Sequence, residues 1–264
     1  MYTNTLTLNN NIKIPQLGLG TWFIDDANVA EAVKAAATLG YRHFDTAQAY
    51  GNERGVGEGI QNCGISREEL FVVSKVAAEH KTYEDAKQGI DETLKKMGLD
   101  YLDMMIIHSP QPWDKVNQCD DRYVEGNRAA WKALEDAYKE GKLRAIGVSN
   151  FQISDLKNLM ETCEIKPMVN QILCHISNTP LELIKFCQEN DIVIEAYSQL
   201  HTEKFFISQK SKQLLTNTVF LFHSFASAMF YSLVLLLFQR QQIHPIWKTI
   251  QRLTLKSRQK IWKF

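Results

Sequence analysis

Seven short apolar runs separated by segments of helical period occupy residues 16–198 of this chain and constrain its fold more than any other feature. The runs are 16–21, 43–46, 71–76, 101–108, 144–149, 168–173 and 192–198; the helix candidates between them are 29–39, 53–62, 83–97, 126–140, 153–162 and 180–190. Strands that alternate with helices pair in parallel through right-handed crossovers, which restricts the fold to an α/β barrel or a doubly wound sheet. Residues 5–14 alternate apolar and polar around an Asn turn and predict a hairpin ahead of the first run. Gly40, Gly98 and Gly141 follow three of the helices, where a left-handed stop is wanted.

The polar residues decide between the two architectures. Asp45, Lys75, His108, Ser149 with Asn150, Gln171 and Tyr197 stand at or near the C-terminal ends of six different runs. Side chains on so many strands converge only when the sheet closes, and a closed (β/α)8 TIM barrel gathers its site at those ends. The expectation is therefore such a barrel with an N-terminal β-hairpin, seven strands recognisable and the eighth lost.

Composition narrows the function. With 30 basic and 30 acidic side chains the chain has no net field for gripping nucleic acid. At 45% hydrophobic and 10% aromatic residues it is neither disordered nor collagen-like. Five cysteines without a CxxC pair suit a reducing compartment, and the opening Met1-Tyr2-Thr3-Asn4 has neither a basic nor an apolar leader region, so a cytoplasmic location is expected. No His, Cys and carboxylate set has metal-ligand spacing. Gly55-Val56-Gly57-Glu58-Gly59 lacks the strand-to-helix context of a phosphate cradle.

The charge balance hides a seam. All 13 glycines precede Ser198, and residues 199–264 hold ten Lys and Arg against a single acid, Glu203. The division expected is 1–198, an incomplete barrel, and 199–264, a basic and apolar tail. Within the tail, residues 213–239 carry no Lys, Arg, Asp or Glu, and 218–238 is long enough to cross a bilayer as a helix between Lys210 and Lys212 on one side and Arg240 on the other.

Chemistry follows from the strand ends. A lysine ammonium beside a tyrosine favours the phenolate, so Lys75 next to Tyr50 is expected to lower that phenol, with Asp45 holding Lys75 charged. His108 then orients a substrate oxygen, and the four groups together protonate an oxygen as it gains negative charge. Read singly, each has a plainer role: Lys75 a snorkelling lysine, Asp45 a turn former, His108 a satisfied strand-end histidine, Trp22 and Trp113 core filling. His43, His175 and the five cysteines stay in that plainer class.

Phe44-Asp45-Thr46-Ala47-Gln48-Ala49-Tyr50-Gly51-Asn52-Glu53 resembles a signature of the aldo-keto reductases, as do Val73-Ser74-Lys75-Val76, Gly147-Val148-Ser149-Asn150-Phe151 and Pro167-Met168-Val169-Asn170-Gln171. The likeness runs from residue 5 to residue 198 and is nearest the bacterial 2,5-diketogluconate reductase type. It implies NADPH-dependent reduction of an aldehyde or ketone, with Tyr50 as proton donor, Lys75 and Asp45 tuning it, and His108 positioning the carbonyl. It further implies that Gly20, Thr21, Asp45, Ser149, Asn150, Gln171, Tyr197 and Ser198 bind NADP(H), and that Trp22, His108 and Trp113 shape the substrate pocket. A small-molecule carbonyl partner and a monomer are implied as well.

After Ser198 the likeness stops. One extra nucleotide before codon 199 turns permitted codons for residues 199–206 into Pro-Ile-Ala-His-Gly-Glu-Ile-Leu, and those for 238–244 into Pro-Lys-Thr-Ala-Asn-Pro. Both products resemble the family's loop and phosphate motif, so the tail reads as the product of a one-nucleotide deletion, a hypothesis that stop codons in the restored frame of the locus would reject. On that reading the phosphate lysine is gone. Three readings of the whole chain stay open: an active reductase, a catalytically dead barrel remnant or binding module, and a reductase tethered to a membrane through 213–239.

Overall fold

The computed structural model describes residues 4–116, 118–174 and 178–198, together with the backbone of 233–236. The chain opens on an antiparallel hairpin of β1 (Thr5–Thr7) and β2 (Lys13–Pro15), with Leu6 opposite Ile14. Asn11 turns it at φ 69°, in the left-handed region that Asn tolerates better than most residues.

Seven parallel strands follow in sequence order: β3 (Leu17–Gly20), β4 (His43–Asp45), β5 (Phe71–Val76), β6 (Met104–Ile107), β7 (Ile146–Ser149), β8 (Val169–Leu173) and β9 (Val193–Tyr197). Helices α1 (Val29–Thr38), α2 (Glu53–Asn62), α3 (Tyr83–Met97), α4 (Val124–Lys139), α5 (Ile153–Met160) and α6 (Leu181–Glu189) connect them. Helices on the outside and side chains inside bury a parallel strand on both faces, which is why β5 and β6 are buried along their whole length.

The eighth parallel strand is missing among the described residues, as expected, but its place is filled. There β10 (Leu233–Leu236) lies antiparallel to both β3 and β9 and closes the ring. The bare edges that a seven-strand sheet would expose are thereby paired, because open N–H and C=O groups accept any available extended segment. Apart from these four residues the apolar span 213–239, like the rest of the tail, lies outside the described residues. Among the described residues no helix is long and apolar enough to cross a membrane.

Glycines do two different jobs. Gly98 ends α3 at φ 63° with its N–H capping the carbonyls of Leu94 and Lys95, the left-handed stop expected there. The run in α2 is a packing face. A Cβ on Gly57 would stand 2.1 Å from the carbonyl oxygen of Met97, and one on Gly55 would stand 2.3 Å from that of Asp26. Helix α2 can therefore press against α3 and the segment before α1 only where side chains are absent, a reason for these glycines that has nothing to do with phosphate.

Candidate active site

The strand ends converge as expected, around one buried cation. Lys75, on β5, is fully buried, and its Nζ donates to Asp45 Oδ1 at 2.5 Å, to the Thr46 carbonyl at 2.9 Å and to the Tyr50 hydroxyl at 3.3 Å. Tyr50 is delivered by a short 3-10 turn, Gln48–Tyr50, just beyond β4. The turn is pinned from behind: Asn52 donates to the carbonyls of Thr21 and Ile24 and accepts from Thr46. Opposite charge at contact distance in a dry site is strong, and three acceptors around one ammonium satisfy it fully.

Burial works against the charge on Lys75, but Asp45, Tyr50 and Glu195 outweigh it and the pKa is raised. Tyr50 corrects an expectation. Lys75 does favour its phenolate, yet burial acts more strongly in the other direction and Asp45 adds to it, so the net pKa is raised and the phenol keeps its proton. Burial, reinforced by Lys75, holds His108 well below its ordinary value, hence neutral, and its Nδ1 has no partner among the described residues.

Aromatic rings complete this corner. His108 meets Tyr50 edge-on at 5.5 Å and Trp113 edge-on at 4.9 Å between ring centroids. Trp22 stands 6.5 Å from Tyr50. Trp22 and Trp113 are 46% and 42% exposed, so they do not fill core, against the plainer reading.

A second hydrogen-bonded set sits on the neighbouring strand ends. Ser149 Oγ donates to the Gln171 carbonyl at 2.9 Å, and Asn150 Nδ2 donates to the His108 carbonyl and to Ser149 Oγ, both at 3.0 Å. Tyr197 donates its hydroxyl to Asn150 Oδ1 at 2.8 Å. Gln171 Nε2 reaches Asp45 Oδ2 at 3.1 Å and so ties this set to the first. Thr21 donates its hydroxyl to the Asp45 carbonyl, and Gly20 pairs with Asp45 in the ladder. Ser198 follows β9 at φ 54° and joins neither set among the described residues. His175 lies outside the described residues.

Sequence reasoning missed Glu195. It is fully buried beneath the site, accepts from Gln171 Nε2 at 2.9 Å and lies 3.8 Å from His43 Nε2. The only signal was an acid in the middle of an apolar run. Glu53, a buried acceptor for Ser74 and Thr93, was equally silent as the first residue of a helix. The contact of Glu195 with His43 is not an ion pair. Burial lowers His43 to about 4 and, helped by Asp45, raises Glu195 to about 8, so both are neutral near pH 7.

Their pH dependence has opposite signs. As pH falls from 6.5 towards 4, the unfolded chain takes a proton at His43 that the folded chain refuses, and stability is lost. As pH rises from 4.5 to 8, the unfolded chain has released the Glu195 proton that the folded chain still holds, and stability is lost again. Above pH 6.5 the Glu195 slope acts alone. Thermal unfolding of Glu195→Gln should therefore gain on wild type by roughly 5 °C between pH 6.5 and 8. An unchanged difference across that window would contradict the assignment.

Comparison with known proteins gives the same picture. A model of the aldo/keto reductase family matches residues 16–215, ending past the seam at Ser198. The glyoxal reductase of Bacillus subtilis (strain 168) is 44% identical over 198 residues, which are 75% of this chain and 67% of that enzyme. The crystal structure of an aldo/keto reductase from Brucella melitensis superposes with a TM-score of 0.70 at 36% identity, covering 81% of this chain and 78% of that one. That of a Bombyx mori aldo-keto reductase in complex with NADP does so with a TM-score of 0.66 at 33% identity, covering 75% and 67%. This chain thus spans about two thirds of the length of glyoxal reductase.

Proposed function

The chain belongs to the aldo/keto reductase family, and on that premise we propose that it reduces small aldehydes or ketones to alcohols with NADPH as the reductant. The observation that carries this reading is the Lys75 ammonium, 2.5 Å from Asp45 and 3.3 Å from the Tyr50 hydroxyl, with neutral His108 alongside.

The second set of side chains fits a nicotinamide. Ser149, Asn150 and Gln171 offer hydroxyl and amide groups that complement a carboxamide, and Tyr197, anchored by Asn150, offers a flat ring. When bound, a reduced nicotinamide supplies hydride to the carbonyl carbon. The protein's part is the proton. Tyr50 keeps its proton until the substrate oxygen gains charge, then releases it to that oxygen, and Lys75 stabilises the phenolate left behind. Asp45 fixes Lys75 in position, and neutral His108 donates a hydrogen bond that orients the carbonyl. Trp22 and Trp113 stand beside Tyr50 and His108, where a bound carbonyl compound would meet them. The side chains named above all lie between Trp22 and Tyr197.

The purified full chain should consume NADPH when glyoxal or another small aldehyde is added. NADPH binding without consumption would favour a binding module that has lost catalysis, and no binding would overturn the reading.

A further inference from the structure

Gln171 has a single NH2 group, and both of its hydrogens are committed. One goes to Asp45 Oδ2 at 3.1 Å and the other to Glu195 Oε1 at 2.9 Å. All three side chains are buried, at 3%, 3% and 0% exposure for Gln171, Asp45 and Glu195. The arrangement is built into the sheet: Gln171 on β8 and Glu195 on β9 are direct partners in the parallel ladder. What Gln171 can still offer a ligand is its carbonyl oxygen, an acceptor.

We propose that Glu195 is a positioning residue that locks the Gln171 amide with its oxygen towards the ligand, so that the site selects a ring bearing an N–H donor, a carboxamide, over one bearing a carboxylate. This rests on the reading above, in which Gln171 meets the nicotinamide carboxamide. An amide held by Asp45 alone could turn and present N–H; two acceptors at once leave it no such freedom. The groups facing Glu195 are Gln171 from β8, His43 and Asp45 from β4, and Lys75 from β5. Of these only Gln171 is hydrogen-bonded to it, so loss of Glu195 acts first on that amide. Protonation does not undo the lock, because a neutral carboxyl still accepts through its carbonyl oxygen.

The test compares dissociation constants of the full chain, read from protein fluorescence, for NADP+ and for its counterpart with nicotinic acid in place of nicotinamide. Wild type should prefer NADP+ by about tenfold or more, a preference of about 1.4 kcal/mol. Glu195→Gln retains an acceptor and should keep that ratio within about twofold, whereas Glu195→Met removes it and should bring the ratio to about threefold or less. A Glu195→Met protein that keeps the wild-type ratio would overturn the proposal. Should that variant fail to fold, wild type decides alone: a ratio near one overturns the proposal while leaving the reductase reading intact. Wild type that binds neither dinucleotide overturns both.

Discussion

Tyr50→Phe should cut NADPH-dependent reduction of glyoxal by about 100- to 10,000-fold, the range that removal of a positioned proton donor costs, while the affinity for NADPH stays within about twofold. The substitution deletes one oxygen and keeps the ring. Lys75 retains Asp45 and the Thr46 carbonyl, so the buried cation remains satisfied and the fold is not at risk. The edge-on contact with His108 is made by the ring and survives as well. Steady-state kinetics alongside fluorescence binding separate the two effects. Full activity in the phenylalanine variant would mean that the proton comes from elsewhere.

Lys75→Met should have the larger effect on stability. It leaves the Asp45 carboxylate buried with Gln171 as its one side-chain partner among the described residues, and breaking one side of a buried ion pair costs about 3 to 5 kcal/mol. In a chain of this size that is roughly a 10 °C fall in Tm. Catalysis should be lost too, since nothing else stabilises the phenolate. The double variant Lys75→Met with Asp45→Asn distinguishes the two losses. With both charges removed, most of the stability should return and none of the activity, whereas recovery of activity would show that the ion pair is structural only. The stability contributed by Lys75 has a raised folded pKa behind it and is lost only in alkali, so the comparison is clean at neutral pH.

Much of this could be read from the sequence because local signals agreed with the global fold. Helices α2 and α3 begin and end at the expected residues, and the second is stopped by the left-handed Gly98 that the sequence marked. The catalytic candidates were recognisable because polar residues at the ends of apolar runs have few structural reasons to be there. Residue-level direction was harder. Whether Tyr50 shifts up or down depends on burial against one ammonium, a competition that only the packed site resolves. Glu195 was missed because its meaning lies in a cross-strand partner 24 positions away, Gln171, and not in its neighbours. The glycines of α2 were set aside as phosphate ligands, but their purpose, close approach to the Met97 and Asp26 carbonyls, needed coordinates. Closure by β10 was not foreseeable either, because an antiparallel strand there breaks the parallel order that the rest of the chain announces.

The most direct test of the account follows the origin of the hydrogen on carbon. Glyoxal is reduced by the full chain with NADPH bearing deuterium at its transferable position, and the alcohol is examined by mass spectrometry. One deuterium on the former carbonyl carbon is predicted, with only hydrogen there when unlabelled NADPH is used in D2O. Carbon-bound deuterium drawn from D2O, or no alcohol at all, would contradict it.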